Sequence, residues 1–298
     1  MKQTSQSAHA RELKVGSIGI WSVLPRYAPE GAGLAAAKDL EEMGFGTLWV
    51  PGGVDNGILA SLDELMDATS SITLAAGVLN IWMHEPEEVA AWWNGQSPER
   101  QSRLVMGIGV SHGPLIGDAY KDVKPLAKMR AYVNALEAAG MPLGRVALGG
   151  LGPKMLELAA TRTAGTHPYL VSPRHSAAAR EIMGPDALIA PHQNVILESD
   201  AATARAWARG MLSAYLNLPN YMNNWLRDGF SQQEIDDVND RLVDSLFAWG
   251  DLDAIAARIQ EHFDAGADHV ALHVTSANGL AAGIDEHMPI WRELAKLL

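Results

Sequence analysis

The chain contains no cysteine. That excludes disulfides, Cys-ligated zinc, iron–sulfur clusters and thiol nucleophiles together. Charge is scarce at 19%, and basic charge scarcer: 23 Lys and Arg against 35 Asp and Glu leave a net of -12. Binding a phosphate backbone draws on surplus Lys and Arg, so this balance argues against a nucleic-acid partner and favours a small-molecule ligand. Long hydrophobic runs are also missing. The longest uncharged apolar-leaning stretch, Ala68 to Met83, is too short and too interrupted by Gly and Asn to span a bilayer, and the polar start from Met1 to Lys14 lacks an apolar signal-like segment. The sequence reads as a soluble cytoplasmic protein, with no membrane association and a disordered tail over residues 1–14.

What is present is a large apolar fraction. With 48% apolar residues over 298 positions the chain can bury enough surface to offset its ordering entropy. Length alone does not choose between two domains and one α/β barrel of about 250 residues.

A strand–helix rhythm makes that choice. Apolar runs at Val15–Trp21, Gly46–Val50, Ile72–Asn80, Arg103–Val110, Arg145–Gly149, Thr166–Val171, Ala187–Leu197 and His269–Thr275 read as eight buried strands. Helical spacing follows each one, as in Leu34, Ala37, Leu40 and Met43, which ends at Gly44. Pro86, Pro153 and Pro173 occupy first-turn positions of later helices. Eight such units predict an α/β fold, a closed (β/α)₈ TIM barrel, as one domain over residues 15–298. One connection is far longer than the others: residues 199–250, read as a helical insertion between strands seven and eight, followed by a helix at Leu252–Ala265.

Active sites of such barrels lie at the C-terminal ends of the strands. Those positions hold Trp21, Trp49, Asn80, Trp82, Ser111, His112, Tyr169, Ser172, Thr275 and Ser276. The set is aromatic and poor in carboxylates, which suits a flat ring better than hydrolysis by paired acids. Strand one carries no His to begin a metal-binding pair, so no metal is expected, and His269 and His273 read as hydrogen-bonded structural histidines. From Gly144 to Arg180, five basic residues face one acid, a net of +4 that leaves -16 for the rest of the chain. The same stretch holds Gly149-Gly150-Leu151-Gly152-Pro153 and Ser172-Pro173-Arg174-His175, two helix starts after successive strands. Exposed N–H groups and the positive helix end make such starts anion sites, and glycine lets a phosphate approach closely.

Taken in order, Met43-Gly-Phe-Gly-Thr-Leu-Trp-Val50, Leu74-Ala-Ala-Gly-Val-Leu-Asn80, Leu104-Val-Met-Gly-Ile-Gly-Val-Ser-His112, Leu151-Gly-Pro-Lys-Met-Leu-Glu-Leu-Ala159 running on to His167-Pro-Tyr-Leu170, and Ala265-Gly-Ala-Asp-His-Val270 resemble the bacterial luciferase-like superfamily of flavin and deazaflavin enzymes, most closely its coenzyme F420-dependent oxidoreductases. The resemblance implies a luciferase-like TIM barrel, a homodimer, and F420 or alternatively FMN as cofactor. It also implies a non-proline cis peptide in a bulge on strand three, here Gly77–Val78, with Asn80 beside the ring and Gly109 and Ser111 nearby. The cofactor phosphate would meet Leu151, Gly152, Ser172 and either Arg174 or His175. A substrate pocket would draw on Trp21, Trp49, Trp82, Tyr169 and Tyr221, the last in a segment that reads as a lid or a packing surface. Relatives that oxidise alcohols carry an acid/base group after strand two. Here the residues are Pro51-Gly52-Gly53-Val54-Asp55, so the role is vacant or passes to Asp55, while His112 after strand four is the other catalytic candidate because imidazole exchanges protons near neutrality. The expected activity is hydride transfer between F420 and a hydrophobic small molecule. The alternatives are an FMN monooxygenase and a non-catalytic flavin-binding barrel.

Overall fold

The computed structural model describes residues 8–29 and 31–298. Its ten strands are β1 (Ile18–Trp21), β2 (Thr47–Val50), β3 (Thr73–Asn80), β4 (Leu104–Gly109), β5 (Val146–Leu148), β6 (Gly165–Thr166), β7 (Leu188–Ile189), β8 (His192–Ile196), β9 (Phe247–Trp249) and β10 (Val270–Val274). All pair in parallel, in the order β7-β6-β5-β4-β3-β2-β1-β10-β8-β9.

The barrel closes through one stretch of chain. β7 and β8 are two halves of the expected seventh strand, parted at Ala190-Pro191 because proline has no N–H for the ladder. On one side the amides of Leu188, Ala190 and His192 donate to the carbonyls of Ala164, Thr166 and Pro168; on the other, Ala271 donates to Pro191 and Asp268 to Ile189. Eight barrel positions result, with helices outside, and the TIM-barrel expectation holds.

Three local expectations change. The sixth strand ends at Thr166 instead of Val171, since Leu170 adopts a left-handed φ of 52° that turns the chain toward the next helix. The long insertion is helical at Ala201–Leu212, Pro219–Arg227, Gln232–Asp236 and Asp240–Leu246, but closes with β9, paired to β8. Three residues carry no readable period; docking against β8 makes them a strand. The expected disordered tail lies in part outside the described residues, and Ala8–Leu13 is helical. Leu13 and Val15 are fully buried in one cluster with Ala164 and Leu188, and the carbonyls of Lys14 and Val15 accept the hydroxyls of Thr73 and Thr47, so this segment crosses the N-terminal end of the barrel.

The lumen is packed by contrast in size. Trp21 and Trp49 fill it, and Ala75, Val105, Ala147, Ala190 and Ala271 make room around them. A larger core lies between strands and outer helices, and the insertion has its own around Trp225, Leu242 and Phe247. Among the described residues no helix is long and apolar enough to cross a membrane.

Candidate active site

Strand β3 breaks register between Ala76 and Leu79, and the Gly77–Val78 peptide within the break is cis. The bulge lays Val78 over the glycines of the neighbouring strand: a Cβ on Gly109 would come within 2.5 Å of Val78 Cγ2, and one on Gly107 within 3.1 Å of Cγ1. Gly149, after β5, faces the same side chain. Strands β3 to β5 thus present a flat wall without side chains on it, apart from Val78. Trp21 supports the bulge from β1, its Nε1 donating to the Gly77 carbonyl at 2.5 Å. The Asn80 amide donates to Gly53 O at 3.2 Å and its carbonyl accepts Trp82 N, which ties the loops after β2 and β3 together. Ser111, with φ 57°, turns the chain after β4 toward His112.

Asp55 does not stand free at the mouth. Its carboxylate pairs with Arg26 and accepts Tyr27 Oη at 2.9 Å and Gly57 N at 2.7 Å. Burial alone would raise its pKa, but the hydrogen bonds from Gly57, Tyr27 and Arg26 outweigh that and hold it below the ordinary value. Arg26, its side chain buried, also donates to Pro51 O, Gly52 O and Ser61 Oγ. The group shapes the loop after β2; a proton acceptor already holding three donors is a poor catalytic base.

On the wall opposite the glycines the mouth is aromatic. The Trp21 ring lies 4.4 Å from His273, 5.3 Å from His192 and 5.7 Å from Tyr169. The insertion covers it: Tyr215 Oη donates to Tyr169 Oη at 3.2 Å, and Tyr221 packs 5.5 Å from His112 and 6.2 Å from Tyr169. His112 is half-buried, and burial, opposed by a hydrogen bond with Asn220, lowers its pKa, leaving a neutral imidazole at pH 7. Two expected pocket residues lie elsewhere. Trp49 is completely buried a layer deeper, stacked on His167 at 3.9 Å and donating to His269 Nε2 at 3.0 Å. Trp82 donates to Val110 O and lies between Lys128 and Tyr120, on the outside of the β3–β4 loops. Strand-end position is legible in a sequence; the direction a ring takes after the strand is not.

The two helix starts are adjacent. Gly152 caps Pro153–Arg162, Ser172 caps Pro173–Met183, and His175 Nε2 donates to Leu151 O at 3.1 Å between them. Gly149 of the flat wall is three residues from Gly152, a span of at most about 11 Å. Arg174 and Arg227 flank this cradle as exposed cations. Between them lies a residue that sequence reading missed: Asp228, from the insertion, accepts Ser172 Oγ at 2.8 Å while only 6% exposed. Burial raises its pKa, against the pull of Ser172, His175, Arg174 and Arg227. Its partner is 56 residues away, and no local pattern signals the contact. Two Arg and two helix starts against one carboxylate leave a net positive cradle.

A parallel barrel with a bulged third strand and two adjacent helix starts beside its mouth is the architecture of the luciferase-like oxidoreductases. The family model for luciferase-like monooxygenase matches residues 28–269, and the chain belongs to that family. No curated protein matches it. Similar solved structures include an F420-dependent secondary alcohol dehydrogenase in complex with an F420–acetone adduct, at 15% identity and TM-score 0.65, covering 94% of this chain and 99% of that one. A coenzyme F420-dependent tetrahydromethanopterin reductase from Methanopyrus kandleri also has 15% identity and TM-score 0.65, with the same coverages of 94% and 99%. The oxygenating constituent of 3,6-diketocamphane monooxygenase from Pseudomonas putida, in complex with FMN, has 13% identity and TM-score 0.66, covering 94% and 96%.

Proposed function

We propose that this protein is an F420-dependent oxidoreductase acting on a hydrophobic small molecule. The observation that carries the reading is the juxtaposition of a flat glycine wall, where a Cβ on Gly109 would collide with Val78 and one on Gly107 with the Ala76 carbonyl, and a positive two-helix cradle at most about 11 Å further along the chain. A molecule with a planar ring at one end and an anion at the other suits both. Gly77, Val78, Asn80, Gly109 and Ser111 would hold the ring, and Leu151, Gly152, Ser172, Arg174 and His175 the phosphate. When bound, the deazaflavin supplies hydride transfer; the barrel orients it and excludes water.

The chain's own proton chemistry would fall to His112, neutral at pH 7 and beside Tyr221. Tyr169, Tyr215 and Tyr221 would form the walls of the substrate space, with Tyr215 and Tyr221 supplied by the insertion that covers the mouth.

One observation favours a second reading, an FMN-dependent monooxygenase. The loop after β2 offers only Asp55, and that carboxylate is locked by Arg26. Titrating the purified protein with F420 and, separately, FMN, by absorbance and fluorescence, tests both. Saturable F420 binding is expected. Tight FMN binding without an F420 response would replace the first reading by the second, and binding of neither would leave a barrel without this cofactor.

A further inference from the structure

Buried histidines of this protein differ in how well they are satisfied: both ring nitrogens of His84 and His287 and one each of His167 and His175 lack a hydrogen-bond partner among the described residues. His269 is satisfied, accepting Trp49 Nε1 and bonding Gly16 O at 3.0 Å; His262 behind β8 bridges Ser176 Oγ and Gln193 Oε1, both at 2.9 Å. Nearer the mouth the pattern fails. Both ring nitrogens of His192, Nδ1 of His273 and Nδ2 of Asn194 have no partner among the described residues, although the three residues are 1%, 5% and 0% exposed. They form one cluster: His273 is the register neighbour of Asn194 across β10 and β8, and the rings of His192 and His273 lie 5.0 Å apart. A buried polar atom without a partner forfeits its bonds to water and gains nothing in return, so folded proteins rarely tolerate several together.

The chemistry of the set narrows what would satisfy it. Burial keeps both imidazoles neutral, His273 with a pKa lowered to about 3. Each then offers one donor and one acceptor, and the Asn194 amide adds donors, since its carbonyl already accepts Thr275 Oγ1. An anion would find no cation here and a cation no carboxylate. An uncharged carbonyl, hydroxyl or imide edge matches. Trp21 touches both imidazoles and bonds the Gly77 carbonyl of the bulge, so the cluster lies one side chain from the flat wall.

We propose that His192, His273 and Asn194 form a hydrogen-bonding seat for the uncharged, oxygen-bearing edge of a ligand lodged in the barrel mouth. The seat is separate from the anion cradle. The edge belongs either to the cofactor ring, in which case the proposal rests on the cofactor reading above, or to the carbonyl or hydroxyl of a substrate.

The test follows imidazole ¹⁵N resonances of the full-length protein during titration with riboflavin, a ring without phosphate, and separately with cyclohexanone, a bare ketone. His262, satisfied inside the protein, is the reference. Selective shifts of His192 and His273 with riboflavin assign the seat to the ring edge; selective shifts with cyclohexanone assign it to substrate oxygen. In either case His273→Leu and Asn194→Leu should each weaken the responding ligand about tenfold, the loss of one good hydrogen bond. If F420 and FMN fail to bind while cyclohexanone still shifts the pair, the cofactor reading falls and the seat stands. If neither probe moves these resonances more than those of His262, the proposal is overturned whether or not the variants fold.

Discussion

Acidification should unfold this protein earlier than its carboxylates alone would require. His167, His262 and His273 have pKa values lowered to about 3, and His269 to about 4, in each case chiefly because burial penalises the charged ring. Unfolded, all four return to about 6.5. The folded value is the depressed one, so the unfolded state binds more protons throughout the window from about 6.5 down to the folded values. Stability is therefore flat above pH 6.5 and falls below it, by up to about 1.4 kcal/mol per pH unit for each group. At pH 5 each imidazole costs about 2 kcal/mol, so the four together remove about 8 kcal/mol, comparable with the whole stability of a typical domain. Asp228, whose carboxyl is raised by burial, acts in the opposite direction but is a single group. Denaturant unfolding followed by Trp fluorescence at half-unit steps from pH 7.5 to 4.5 measures the slope. The expected outcome is a plateau above 6.5 and loss of cooperative folding near pH 5. His262→Gln should reduce the loss between pH 7 and pH 5 by about 2 kcal/mol. A stability profile flat down to pH 5 would refute the assignment of neutral, buried imidazoles.

Four substitutions probe the site. Gly109→Ala places a Cβ against the movable Cγ2 of Val78 and should cost about 1–3 kcal/mol, whereas Gly107→Ala meets the backbone carbonyl of Ala76 at 2.1 Å and should cost more; denaturant midpoints in the reverse order would contradict the wall geometry. Asp55→Ala should lower stability by about 1–3 kcal/mol through the loss of Arg26's partner, leaving the pH dependence of turnover unchanged; a shifted pH profile at unaltered stability would instead make Asp55 a proton-transfer group. Asp228→Asn removes the one carboxylate from the anion cradle, so calorimetry should find FMN and inorganic phosphate bound several-fold more tightly, and unaltered affinity would remove the cradle from the phosphate assignment.

Much of the fold is legible because its signals are local. Pro173 beside Ser172 announces a helix start, and in the structure Ser172 Oγ accepts the His175 amide there. The glycines after β5 announced a turn at a helix N-terminus, and Gly152 caps that helix. Where local signals stop, the reading stops as well. Trp49 lies near the end of β2 and Trp82 just after β3, yet one stacks inside the lumen on His167 and the other faces Lys128 outside. Tyr221 reaches His112 only because the insertion folds back over the mouth.

By itself the sequence determined eight strand–helix units, the long connection before the last one, and an island of positive charge in an acidic chain, because period, capping and charge are properties of neighbouring residues. Tertiary structure alone decided which polar groups meet. His192 and His273 converge because closure of the barrel sets β8 beside β10, and Asp228 enters the cradle because the insertion docks against Ser172. Those contacts depend on how distant segments close around the lumen, and a local pattern holds no record of that distance.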